Sequence, residues 1–184
     1  PMVGLQVVEY LRAFFFGRLG WGPFNSVMII SGAFGLFDRS AVLEIGGYET
    51  DTITEDMEII LKLHEKGMED GVDYRIRYVP DPVCWTEVPE DLRSLRNQRV
   101  RWQVGLSDSM ARHLNLLFNP KGGYLSWMGL PWMALFEWLG PFVEFTGYIY
   151  MITRRVMRFL SVPSFLIFTL VAIVLMMMVT MSAL

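Results

Sequence analysis

The sequence predicts an α/β domain running into membrane helices, and three features of the 184-residue chain carry that expectation. Strand-like and helix-like patterns alternate through its polar part. All but two of its 19 acidic residues and all but three of its 16 Lys and Arg residues precede Tyr124. Phe159 to Leu184 carries no charge and exceeds the roughly 20 apolar residues that a helix needs to cross a bilayer. A chain that is 53% hydrophobic with mean hydropathy +0.35 is too apolar for an ordinary soluble domain. Residues 1–123 therefore read as a polar domain and residues 124–184 as about two spans.

Leu5 to Phe16 is apolar, with Gln6, Glu9 and Arg12 along a narrow polar stripe. It suits a helix lying in the membrane interface and equally a core helix of a soluble domain. Val27 to Ile30 reads as a buried strand, followed by the small-residue turn of Ser31, Gly32 and Ala33 and a second run from Phe34. Arg39 to Ile45 forms a short helix ended by Gly46 and Gly47. Thr52 and Glu55 fit a capping box, and Met57, Ile60, Leu61 and His64 recur at helical spacing, giving a helix to about Lys66 with one buried face. Tyr74, Ile76 and Tyr78 alternate with Arg75 and Arg77 as a half-buried strand, and 82–87 is a shorter one.

Pro89, Glu90 and Asp91 open the next helix. Beyond Trp102 its apolar residues Val104, Leu106, Met110, Leu114 and Leu117 oppose Asp108, Arg112 and Asn115, a pattern that would float the domain on a bilayer. Tyr124 to Ile152 is long enough to span. Its acids Glu137 and Glu144 lie seven apart, nearly on one face, and would look into protein or water. Arg112 and Lys121 would mark the cytoplasmic side, which leaves Arg154, Arg155 and Arg158 outside, against the positive-inside tendency. The opening PMVG and the apolar ending at MSAL raise the expectation of a piece of something longer. One cysteine, Cys84, excludes an internal disulfide, and net charge −3 without a basic cluster argues against nucleic acid as a partner.

Two short stretches carry the chemistry. Glu55 and Asp56 open a helix, where acids meet the positive end of the macrodipole and need no further function. Gln98, Arg101 and Trp102 stand at i, i+3 and i+4 and share one helix face. An amide, a guanidinium fork and a flat indole suit a ligand bearing hydroxyls, diphosphate and a sugar ring. An Arg stacked on Trp by cation–π contact would explain the same pairing without any ligand.

Thr54-Glu55-Asp56, then QRVRW at Gln98 to Trp102, then apolar spans, together resemble the processive family 2 glycosyltransferases: the cellulose, hyaluronan and poly-N-acetylglucosamine synthases. The stretch SGAFGLFDRSAVLEIGGYETDTITEDMEIILKLH is similar to the bacterial poly-N-acetylglucosamine branch in particular. The resemblance implies the C-terminal part of a GT-A-type domain followed by interfacial and transmembrane helices. It implies a multi-pass protein of the cell membrane with its catalytic part cytoplasmic, where sugar nucleotides are made. It makes Asp56 the general base on an acceptor hydroxyl, with Glu55 and Thr54 shaping its surroundings. Gln98, Arg101 and Trp102 would hold the acceptor sugar and the diphosphate end of the donor, and Ser31 and Gly32 would lie near the acceptor.

The implied reaction moves a sugar, with inversion, from a nucleotide-sugar donor such as a UDP-sugar to a growing β-linked polysaccharide. A non-processive transferase acting on a lipid acceptor and a non-catalytic sugar-binding membrane subunit are the competing readings. The family's metal-binding D-x-D motif is absent from this sequence, and His64 and His113 have no metal-ligand spacing with a carboxylate or Cys84. Mg2+ or Mn2+ would be held by residues upstream in the missing part of the same domain, so the segment alone is expected to be inactive. A helix N-terminus also favours the carboxylate form of Asp56, whereas a useful base wants a higher pKa and the Glu55 charge pushes that way.

Overall fold

The computed structural model describes residues 2–81, 84, 86–157, 161–167, 170–171 and 174. Helices α1 (Met2–Leu11) and α2 (Leu19–Trp21) are joined through a run of wide π turns, Arg12–Arg18, and end in a 3-10 turn, Gly22–Phe24. Then come α3 (Arg39–Glu44), α4 (Glu55–Asp70) and α5 (Leu92–Arg112). Residues Leu125–Gly129 and Met133–Trp138 are again π turns, flanking α6 (Leu130–Trp132), and α7 (Gly140–Val156) follows.

Helix ends follow local chemistry. Asp38 caps α3 by accepting from the backbone N–H of Ser40 and Ala41, and Asp91 caps α5 through Arg93 and Ser94. Gly46 and Gly47, at φ +82° and +80°, close α3, where the N–H of Gly47 reaches the Val42 carbonyl at 2.8 Å. The box expected of Thr52 and Glu55 does not form: α4 begins at Glu55 itself, and Thr52 Oγ1 accepts from the N–H of Thr54. Helix α4 runs on to Asp70, where Gly71 ends it in the left-handed region.

The strands expected at 27–30 and 74–79 do not form ladders; among the described residues the only bridge joins Ser31 to Phe34. A strand requires a neighbour for its backbone groups, and the Asn25 amide takes that place for the second segment. Its Nδ2 donates to the Tyr74 carbonyl at 2.7 Å while its Oδ1 accepts from the N–H of Ile76 at 2.9 Å. The predicted alternation survives as burial, with Tyr74, Ile76 and Tyr78 half-buried and Arg75 and Arg77 exposed. The strand expected at 82–87 falls partly outside the described residues, as does most of the span expected from Phe159.

The core joins Met28, Met57, Leu61, Met110, Leu116, Leu125, Leu130 and Met133. Packing thus continues across Gly123, with Leu125, Ser126, Gly129, Leu130 and Met133 buried on one face and Trp127, Met128, Trp132, Leu135 and Phe136 exposed on the other. Beyond Trp102, Met110 enters the core and Leu106 and Leu117 pack against it, whereas Val104 and Leu114 are exposed. The stripe expected to rest on a bilayer is therefore divided between core and surface. Among the described residues no helix is long and apolar enough to cross a membrane. The stretch 124–152 is interrupted at Leu139, with Pro141 in the first turn of α7.

Candidate active site

Helix α4 meets α5 at its first turn. Thr54 is buried, and Gly105 is what lets it approach: a Cβ at Gly105 would overlap the Thr54 side chain. The Thr54 hydroxyl lies 3.3 Å from that of Ser109, so it is turned toward α5 and caps nothing. On a helical wheel Gly105 and Ser109 share their face with Gln98, Arg101 and Trp102. Gly105 lies roughly 6 Å along the axis from Arg101.

Asp56 sits two residues past that contact. Its Oδ1 accepts from the N–H of Met57 at 2.9 Å, and its Oδ2 faces the Ser31–Phe34 turn, where a Cβ at Gly32 would stand 3.3 Å away. A cleft of about 310 Å³ opens here, lined by Ile30, Ser31, Gly32, Gly35, Tyr48, Glu55 and Asp56. Burial raises the pKa of Asp56 above the ordinary carboxylate value, with the Glu55 charge adding to it. The N–H groups of Met57 and Gly32 and the Arg18 guanidinium oppose the rise without cancelling it. The opposition expected between helix N-terminus and neighbouring acid thus resolves upward, because desolvation, with the Glu55 charge on its side, outweighs the backbone N–H groups.

The cleft brings Glu55 and Asp56 together with Ser31 and Gly32, while Thr54 is turned toward α5. Gln98, Arg101 and Trp102 do not line the cleft. Arg101 is exposed. Trp102, 38% exposed, lies with its ring centroid 6.3 Å from that of Tyr10 on α1 and carries the Arg99 guanidinium 4.8 Å above it. The stacked cation is therefore Arg99, itself forked onto Glu9 at 2.6 and 2.5 Å. Gln6, also on α1, donates to the Pro89 carbonyl, so α1 packs along α5 instead of lying free.

Sequence reasoning missed Tyr48 in the cleft lining, Arg18 with its charge acting on Asp56, and the small residues Gly105 and Ser109. The last two carried a signal: they continue the Gln98, Arg101, Trp102 face at helical spacing. Arg18 carried none, because only the fold brings it near Asp56. His64 is buried and its Nε2–H donates to the Val27 carbonyl at 2.9 Å, while His113 lies buried between two glutamates. Among the described residues no group of three His, Cys, Asp or Glu side chains could hold a metal ion.

The model of the family described as "Glycosyl transferase family group 2" matches residues 7–183. The poly-beta-1,6-N-acetyl-D-glucosamine synthase of Staphylococcus aureus (strain COL) is 40% identical over 108 residues, 59% of this chain and 25% of that protein. The synthase of the same name from Staphylococcus epidermidis (strain ATCC 35984) is 36% identical over 108 residues, with the same coverage. The matched part is thus a quarter of the length of these relatives. No solved structure matches.

Proposed function

This chain belongs to glycosyl transferase family group 2, and we propose that its cleft is the acceptor side of a site that transfers a sugar from a nucleotide-sugar donor to a growing β-linked polysaccharide. The observation that carries the reading is Asp56: a carboxylate whose pKa is raised by burial, at the edge of a cleft, with its Oδ2 facing Gly32. In the step itself Asp56 takes the proton of an acceptor hydroxyl and the hydroxyl oxygen attacks the anomeric carbon from the face opposite the leaving group. The bond to the nucleoside diphosphate breaks with its electron pair leaving on the diphosphate, and the configuration inverts. Arg101, exposed one turn from Gly105, is the cation for that developing charge. Gln98 and Trp102 contribute hydrogen bonding and a flat apolar face to the acceptor chain.

The relatives' names support N-acetylglucosamine as the sugar and a β-1,6 linkage, and a UDP-sugar is the donor that the family resemblance implies. The alternating burial of Tyr74, Ile76 and Tyr78 supports one strand of a GT-A-type sheet. Among the described residues no ligand set fits the family's divalent ion, and Mg2+ or Mn2+ is assigned to ligands upstream on the family resemblance. The apolar outer face of 125–157 supports a multi-pass place in the cell membrane, with the cleft on the cytoplasmic side and Glu137 and Glu144 toward the product path. The test is nucleoside diphosphate release by the full-length protein in membranes, over a panel of sugar nucleotides, beside Asp56→Asn. One donor consumed by the wild type and not by the variant supports the base. Turnover by Asp56→Asn, or no donor consumed with acceptor supplied, removes the reading.

A further inference from the structure

Resting on that reading of Asp56, we infer that His113 is a positioning residue for transfer, a clamp that fixes the register of α4 against α5. Glu58 and Glu65 lie seven residues apart on α4 and so share a face. His113, the residue that ends α5, reaches both: Nε2 stands 2.9 Å from Glu58 Oε1 and Nδ1 2.7 Å from Glu65 Oε2. His113 and Glu58 are only 6% and 3% exposed, and Asn115 Nδ2 supports Glu65 through its other oxygen. Each ring nitrogen thus faces one carboxylate oxygen, and the imidazole ties both glutamates of α4 to the end of α5.

Its neighbours extend the clamp. In the same turn Ser109 meets Thr54, and Arg112 pairs with Asp51 at 3.1 Å and with Asp108 at 3.0 Å. The last turn of α5 therefore holds the chain before Asp56 at Asp51 and Thr54 and after it at Glu58 and Glu65. Asp56 is enclosed within that set, and α5 is the helix that carries Gln98, Arg101 and Trp102. The proton acceptor and the leaving-group cation thus sit on two helices whose relative position this turn sets. Misplacement of about 1 Å is enough to cost on the order of a hundredfold in rate.

The experiment uses the full-length protein in membranes, with kcat and donor KM measured for wild type, His113→Ala, His113→Gln, Glu58→Gln and Asp56→Asn. His113→Ala is expected to lower kcat by about tenfold or more with donor KM held within about twofold, the split that displacement of the base produces. His113→Gln, with one donor group, falls between it and wild type and serves as the readout where the alanine variant does not fold. Glu58→Gln, which keeps a polar partner for Nε2, is expected to lower kcat less than His113→Ala does. Wild-type kcat in folded His113→Ala, or in His113→Gln where only that variant folds, beside an inactive Asp56→Asn, overturns the positioning role alone. Turnover by Asp56→Asn overturns both the base and the clamp built on it.

Discussion

Helices α4 and α7 are of similar length, yet α4 buries Met57, Glu58, Ile59, Ile60, Leu61, Leu63 and His64 while α7 buries nothing. Along α7, Phe142, Val143, Phe145 and Tyr148 are each 60–65% exposed. The polar groups differ as well. On α4 they are committed: His64 to the Val27 carbonyl, Glu58 and Glu65 to His113, Lys62 to Glu49 at 2.7 Å. The contrast separates two tasks: α4 is a rigid mount for Asp56, and α7 presents an apolar surface to something outside the described residues.

The largest effect should come at the mount's tip. Asp56→Asn is expected to lower transfer by about 10²- to 10⁴-fold, the usual worth of a positioned base, and wild-type activity should fall as pH drops through the raised pKa of Asp56. Stability should move the other way. A carboxyl whose pKa is raised on folding binds more protons folded than unfolded, so its contribution is present at low pH and lost as pH rises through the folded value. Thermal melts should therefore find Asp56→Asn at least as stable as wild type at neutral pH. The gap should close below about pH 3.9, where both states are protonated. A variant that melts lower at neutral pH would make Asp56 a structural helix-start residue.

Next comes the body of α4. Leu61 has no exposed surface, and Leu61→Ala should cost about 2–5 kcal/mol in denaturant unfolding, the range for large-to-small changes in a tight core. Gly105→Ala should cost about 1–3 kcal/mol, because the new Cβ overlaps Thr54 and forces α4 off α5. Unlike Leu61→Ala, it should depress kcat in the fraction that remains folded. Equal kcat in the folded Gly105→Ala and wild-type proteins would detach the Thr54 contact from the site.

How much of this was legible depended on how local the cause was. The glycines that stop α3, the acids at the starts of α4 and α5, and the apolar face of α4 act within one or two turns, and each could be read directly. Grouping Ser31 and Gly32 with Asp56 came through resemblance, and the cleft joins them. The remainder depended on contacts distant in sequence. Thr52 and Glu55 satisfy the pattern of a capping box, but Gly105 and Ser109, about 50 residues on, recruit Thr54 and shift the helix start. The runs 27–30 and 74–79 have strand character, yet a ladder also needs a partner strand. No spacing rule sets Tyr10 of α1 beside Trp102 or joins His113 to Glu58 and Glu65.

The smallest effect on the fold should be on α7, and it is the sharpest test of the contrast. Phe142 and Phe145 lie three apart on one face and touch no buried residue of α7 itself. Replacing both with Ser should leave unfolding of the polar part within about 0.5 kcal/mol, as for surface positions generally. The same change removes two side chains that would each gain about 1.5–3 kcal/mol on burial in an apolar phase, so partition of the protein into lipid vesicles should weaken by tenfold or more. Were stability to fall as it does for Leu61→Ala, α7 would be covered by the protein itself, and the two helices would share one task. With partition weakened and stability intact, lipid is what covers α7, and the mount and the anchor are energetically separate parts of one chain.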